Sequence, residues 1–226
     1  MIGEVNGVVT FEDIRNNAEI RTYIEKGNEN LGVLGFTKHS VGHATKVSDT
    51  AAKILEGLDY DARTVELARI AGYMHDIGNS INRHDHAHSG AILAYQILKD
   101  LGMPLQDIVT ITGAIGHHDE ATGTAVDVVS AAVILADKTD VRRSRVRNKD
   151  MATFDIHDRV NYSVERSEVL LDVPGRTVTL SLSINTQVCA VMDYFEIFLQ
   201  RMLLCRRAAE ALSLKFRLEI NGQVLL

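Results

Sequence analysis

From about Thr37 to Asp140 the apolar residues recur at helical spacing. His43, Val47, Ala51, Ile54 and Leu58 fall on one face. A second helix is expected over about Ala62–His75 and a third from His86 to just before Gly102. A fourth covers Asp107–His118, with Ile108, Ile111 and Ile115 in a stripe, and a fifth follows Val126, Val129, Val133 and Asp137. Gly57, Gly78, Gly102-Met103-Pro104 and Gly123 punctuate the ends, as helix stops should. Residues 1–36 are polar and weakly patterned, and predict an N-terminal arm with one short helix near Phe11–Lys26. After residue 150 the period changes. Arg159–Val173 and Arg176–Asn185 alternate around Pro174-Gly175, which predicts a hairpin. Gln187–Leu212 is again helical, and Lys215–Leu225 alternates with Asn221-Gly222 as a turn. The expected fold class is mainly α: an arm over 1–36, a helical body over 37–150, and a small C-terminal α+β (β-β-α-β) appendage over 151–226. The long C-terminal helix carries more apolar surface than one small sheet can cover. It should pack on the helical body, and it is a candidate homodimer contact.

Composition narrows the function classes. With 226 residues, 46% hydrophobic and 24% charged, the chain can bury a real core. A net charge of −6 disfavours a general nucleic-acid binder, so no nucleic-acid partner is expected. Cys189 and Cys205 form no CxxC pair and read as reduced packing residues. The first residues lack a signal-peptide pattern, and the longest apolar run, Val128–Ala136, is too short to span a bilayer. The expectation is a cytoplasmic protein with no membrane partner.

Histidine changes the picture. Eight of the nine histidines lie between positions 39 and 118. A single histidine is most often a solvated or hydrogen-bonded side chain, but His43 sits on a core-facing stripe. Asp137 ends another, where an unpartnered carboxylate would be costly. His75-Asp76 closes a helix, where adjacent side chains can converge on one ion. Imidazole with carboxylate suits a borderline transition metal such as iron, manganese, zinc or cobalt.

The order His43 … His75-Asp76 … Asp137 resembles the HD superfamily of metal-dependent phosphohydrolases. Its surroundings fit too: H-x-x-x-V-x-x-x-A at His43, Y-M-H-D-I-G at 73–78 and L-A-D-K at 135–138. The resemblance covers roughly residues 37–145. It implies an all-helical core with one or two divalent metals between the helices, nickel and magnesium being further candidates. It also implies that Asp76 and His75 are catalytic, with Asp76 both holding metal and orienting the attacking water. In two-metal members a histidine opens the next helix and a histidine or pair ends the one after. His86 matches the first, and His118 with its neighbour His117 the second. His84, His88 and one of the 117/118 pair read equally as loop or pocket rim. His39, four residues before His43, is a candidate ligand or substrate-phosphate contact.

Two departures bear on substrate. Asp119-Glu120-Ala121-Thr122-Gly123 stands where cyclic-di-GMP-degrading members carry Gly-Tyr-Pro. Asn79 stands where many relatives carry lysine. The text around His86-Ala87, Gly90-Ala91 and Ala136-Asp137-Lys138 instead resembles bacterial hydrolases of dinucleoside tetraphosphates. Arg142, Arg143, Arg145, Arg147 and Lys149 follow Asp137 and read either as a solvated face or as a phosphate clamp. Lys138, Arg143 and Arg145 are the chosen phosphate contacts. The expected partner is a phosphorylated small molecule of nucleotide type. The alternatives are a di-iron oxygenase of the same fold and a non-catalytic metal-loaded binding or signalling module.

Overall fold

A computed structural model describes residues 8–225. Its α-helices are α1 (Phe11–Arg15), α2 (Ala18–Val33), α3 (Val41–Gly57), α4 (Ala62–Met74), α5 (His86–Asp100), α6 (Leu105–Gly116), α7 (Val128–Lys138), α8 (Ile156–Ser163) and α9 (Val191–Ala211). Its strands are β1 (Val164–Asp172), β2 (Thr177–Ile184), β3 (Lys215–Ile220) and β4 (Gln223–Val224). The protein is therefore mainly α, with a helical core and a small four-stranded appendage.

The five expected central helices are α3 to α7. Helix α7 is the innermost: Ala131–Ala136 are 1% exposed or less. It is packed by α3, α4 and α6 on one side and by α9 on the other. A fully buried Val, Leu or Ile contributes about 1.5–3 kcal/mol, so Val47, Ile70, Ile111 and Val133 anchor the helices firmly. Val126 is not on α7. It precedes the capping residue Asp127, whose side chain accepts from Ser130 N, and it is exposed.

Residues 8–36 hold two packed helices rather than one. Asn17 breaks them by capping α2, its side chain accepting from the backbone of Glu19 and Ile20. Ile14, Ile20, Ile24 and Leu31 are buried. Residues 159–163, expected as strand, belong to α8, which Asp155 starts by accepting from Asp158 N.

The sheet runs β1-β2-β3-β4. β1 and β2 form the expected hairpin, and β2 pairs parallel to β3 through the α9 crossover. Asn221 and Gly222 both have positive φ, 51° and 81°, which a two-residue primed turn into β4 requires. The apolar face of α9 (Tyr194, Phe198, Met202, Cys205, Ala208) is buried within the protomer, between α7 and β3. That is the packing expected of its apolar surface, and Met192 and Leu199 on the same helix remain exposed. No helix among the described residues is long and apolar enough to cross a membrane.

Candidate metal centre

Five helix ends and turns deliver the inward side chains. His43 lies in the first turn of α3, His75 caps α4, and Asp76 follows in the turn. His86 opens α5, His118 lies two residues beyond α6, and Asp137 is the penultimate residue of α7. Gly78 makes the approach of α5 possible. A Cβ there would stand 2.0 Å from the His86 carbonyl oxygen and 2.6 Å from Gly90 N. Gly90 answers it from the other side, with Gly78 N 3.2 Å from where its own Cβ would be.

In every one of the four rings Nδ1 is committed. It meets Asp140 Oδ2 at 2.7 Å in His43, Gly72 O at 2.8 Å in His75, Arg83 O at 3.1 Å in His86 and Ile115 O at 2.7 Å in His118. A carbonyl oxygen and the Asp140 carboxylate only accept, so Nδ1 carries a hydrogen and Nε2 faces the centre. Such outer partners fix the tautomer and orientation of metal-binding histidines.

Asp76 is the hub. Its Oδ2 is 3.1 Å from His75 Nε2 and 3.6 Å from His43 Nε2, while its Oδ1 is 3.6 Å from His86 Nε2 and 3.9 Å from His118 Nε2. Asp137 Oδ1 lies 3.2 Å from His43 Nε2 and 3.6 Å from His75 Nε2. Three overlapping groups could each hold an ion: His43-His75-Asp76, His75-His118-Asp137 and Asp76-His86-His118.

These residues fit a divalent metal. His43 Nε2, His75 Nε2 and Asp76 Oδ2 are buried, close together, and without a hydrogen bond of acceptable geometry. Buried polar atoms left so are costly, and a cation satisfies all three. His86 Nε2 and His118 Nε2 are 3.1 Å apart, with both Nδ1 hydrogens spent on carbonyls, so their lone pairs also call for a shared positive partner. Arg83 Nη1 donates to His86 Nε2 at 3.2 Å, so an ion at that end would have to displace a guanidinium. Burial opposes charge on His75, but Asp76 and Asp137 outweigh it and push its imidazolium up to about 10. That proton has to leave when a metal binds. Burial also opposes charge on Asp76 and Asp137. His75 beside the first and Lys138 beside the second nevertheless hold both well below the usual carboxylate range.

A cavity of about 430 Å³ opens onto Asp76, His86, His118 and Asp137. Arg83, Lys138, Arg145 and Arg201 line it together with Glu120, Asp155 and Asp158, with Phe36 and Phe198 as its aromatic side. His39 also lines it, but from the loop before Ser40 caps α3, not from the shared helical face the spacing suggests. Its Nδ1 is 2.8 Å from Thr37 O and its ring is 5.4 Å from that of His43.

Two expected site residues point elsewhere. His117 caps α6 and turns outward, lining a shallow apolar cavity with His88. Consecutive residues leaving a helix diverge, and only His118 turns inward. Arg143 is turned away from the cavity: its Nε donates to Tyr162 O at 2.6 Å, its Nη2 to Glu165 Oε1 at 3.3 Å, and the Tyr162 ring lies 4.5 Å from the guanidinium. The arginine run is largely consumed in bracing an irregular segment. Arg142 meets Asp140, and Arg147 donates to the carbonyls of Phe36 and Asn28. Only Arg145 is both buried and on the cavity. It donates to Lys38 O at 3.0 Å and Asp140 O at 2.8 Å.

Sequence reading missed Asp140, Glu120, Arg201 and the role of Asn79. Asn79 Nδ2 donates to Asp76 Oδ1 at 2.8 Å, so the residue standing in place of lysine steadies the hub. Arg201 had a signal: a lone charge between Phe198 and Met202 on an otherwise apolar helix face. Asp140→Ala should weaken metal binding by about 10–100-fold, because His43 loses the group that fixes its ring. His117→Ala should leave metal affinity within about twofold, as for an ordinary surface change. Equilibrium competition against a chelator checks both.

Glu120 sets a pH limit. Burial opposes its charge, but Lys138 and Arg201 outweigh burial and hold its carboxyl far below the ordinary value of 4.5. A depressed carboxylate contributes stability above its unfolded pKa and loses it as pH falls through the folded one. Thermal stability should therefore drop steadily below the ordinary value near 4.5, and Glu120→Gln should flatten that acid limb. Melting curves across pH check it.

Residues 40–196, more than half of the chain, match the family described as HD domain. The match runs past residue 150, through β1 and β2, and ends within α9. An uncharacterized protein of Methanocaldococcus jannaschii is 26% identical over 184 residues, covering 70% of each chain. The crystal structure of a predicted HD superfamily hydrolase from an uncultured Thermotogales bacterium aligns at 24% identity. It covers 55% of this chain and 67% of that one, with a TM-score of 0.43. On the extent of the family match, and with His43, His75-Asp76 and Asp137 gathered as described, this chain belongs to the HD domain family.

Proposed function

We propose that the protein is a metal-dependent phosphohydrolase acting on a small, nucleotide-like phosphoester or phosphoanhydride. The observation that carries this is the lining of one cavity. The unpartnered atoms of His43, His75 and Asp76 converge beneath it, Asp76, His86, His118 and Asp137 open onto it, and Arg83, Lys138, Arg145 and Arg201 line it beside them. His43, His75, Asp76 and Asp137 would hold the first divalent transition metal, iron or manganese among the candidates. His86 and His118 would serve a second ion once Arg83 swings aside. When bound, the metal supplies Lewis acidity and a water of lowered pKa near neutral pH. Asp76, steadied by Asn79, orients that water. Arg145 binds phosphoryl oxygens, which arginine's planar fork suits, whereas Lys138, expected as a second phosphate contact, is held between Asp137 and Glu120. His39 stands at the same mouth as a phosphate contact. Phe36 and Phe198 offer a face for a base or other apolar group. The absence of Gly-Tyr-Pro after His118 speaks against cyclic-di-GMP.

The test is phosphate release from a panel of nucleotides and dinucleoside polyphosphates, using protein reconstituted with iron, manganese or cobalt. Turnover with at least one is expected. No release from any, together with oxygen consumption on an organic substrate, would replace hydrolysis with oxygenase chemistry. On the best substrate, Arg145→Ala should raise KM by roughly ten- to a hundredfold with little change in kcat. It removes a charged contact of about 1.5–3 kcal/mol made alike in ground and transition states. Arg143→Ala should leave KM unchanged, since its guanidinium is spent on Tyr162 and Glu165.

A further inference from the structure

Lys138 follows Asp137 directly, and its Nζ stands 2.7 Å from Asp137 Oδ2 and 2.7 Å from Glu120 Oε2. The other oxygen of Asp137 faces His43 and His75. One ammonium thus grips, from outside, a carboxylate whose inner oxygen faces the metal site. Glu120 comes from the loop two residues past His118, and its Oε1 is 3.1 Å from Arg201 Nη2. Arg201 rises from α9 with its guanidinium 4.3 Å over the Phe198 ring. Four charges alternate and cancel along Asp137, Lys138, Glu120 and Arg201. Lys138 is only 4% exposed, so its charge needs both carboxylates. Arg201 lies beyond residue 196, where the family match ends.

We propose that Arg201 is a positioning residue of the metal centre, fixing Asp137 through Glu120 and Lys138. The C-terminal α+β unit is then a working part of the site and not an accessory fold. This rests on the metal reading above. Lysine carries a point charge on a flexible stem with three rotatable donors. What holds it against Asp137 is the placement of its second partner, and Arg201 sets that placement. With Arg201 gone, Glu120 carries an uncompensated charge and draws Lys138 toward itself. Asp137 then loses the grip that aims its inner oxygen.

The experiment uses full-length protein with cobalt(II) as the probe. Affinity is read by chelator competition, and ligand geometry by the visible spectrum. Arg201→Met should weaken cobalt binding about tenfold, and Lys138→Met by about 10–100-fold, the range for loss of an outer partner. The double variant should be no weaker than Lys138→Met, because both act on one chain of contacts. Arg201→Lys, which keeps the charge at Glu120, should recover most of the loss. Wild-type affinity in Arg201→Met, or losses that multiply in the double variant, would overturn the proposal. If Arg201→Met does not fold, Arg201→Gln, which removes the charge but keeps a polar group beside Glu120, leaves the same uncompensated carboxylate. A tenfold loss supports the proposal and wild-type affinity overturns it. Wild-type protein that binds no cobalt at all would remove the metal centre and this proposal with it, a result distinct from an intact centre indifferent to Arg201.

Discussion

Asp76→Ala should leave a folded helical protein whose hydrolytic turnover is lower by roughly a thousandfold or more, the scale expected when a preorganised electrostatic partner of the reaction is removed. Asp76 is the one side chain with an oxygen toward each half of the centre: Oδ2 toward His43 and His75, Oδ1 toward His86 and His118. Its loss cuts both metal binding and the orientation of water. Folding should survive, because the helix before it is anchored independently by Ile70, Ala71 and Met74, all buried. Circular dichroism, metal content and turnover measured on one preparation check this. Turnover within about tenfold of wild type would be inconsistent with an essential metal-bound water.

Stripping the metal should lower the melting temperature by roughly 8–16 °C. A metal held at a free concentration a thousand times its Kd stabilises the folded state by about 4 kcal/mol. For a chain of this length each kcal/mol moves the midpoint by about 2–4 °C. In the stripped protein the proton raised onto His75 offsets only part of the repulsion between Asp76 and Asp137. His43 Nε2 and Asp76 Oδ2 stay unpaired. Scanning calorimetry before and after chelation, with manganese or iron added back, measures the shift. Identical melting curves would mean that the buried ligands gain nothing from a cation.

Much of the fold was legible because periodicity reports burial directly. α3 to α7 follow from stripes such as His43-Val47-Ala51-Ile54, and the hairpin and final turn from Pro174-Gly175 and Asn221-Gly222. The misses have physical causes. The period of α8 spans barely two turns and merges into β1, so alternation was read across both. Asn17 splits α1 from α2 by capping, a local hydrogen-bond event that apolar spacing does not record. In the site, His43 and Asp137 were readable because each is a polar group on an apolar stripe, His75-Asp76 because adjacent side chains at a helix end can converge, and the resemblance to the HD superfamily tied the four together. His118 continues the Ile108-Ile111-Ile115 stripe and does turn inward, whereas His117, expected as its companion, leaves the end of α6 at Gly116 on the other side. The arginine run misled because charge density says nothing about where a long side chain finds its partner. Arg143 found Tyr162, and of the run Arg145 reached the cavity, whose other guanidiniums come from Arg83 and Arg201, far apart in sequence. Asp140 and Glu120 act by holding other side chains, a role visible only once the chain is folded.

The most direct measurement is an anomalous-scattering map from crystals of the protein grown with manganese or iron and collected at the metal edge. A peak is expected among His43 Nε2, His75 Nε2, Asp76 Oδ2 and Asp137 Oδ1, the atoms that now converge within about 4 Å of their nearest neighbours. No peak there at saturating metal, or a metal held only by exposed residues such as His84 and His88, would contradict the account.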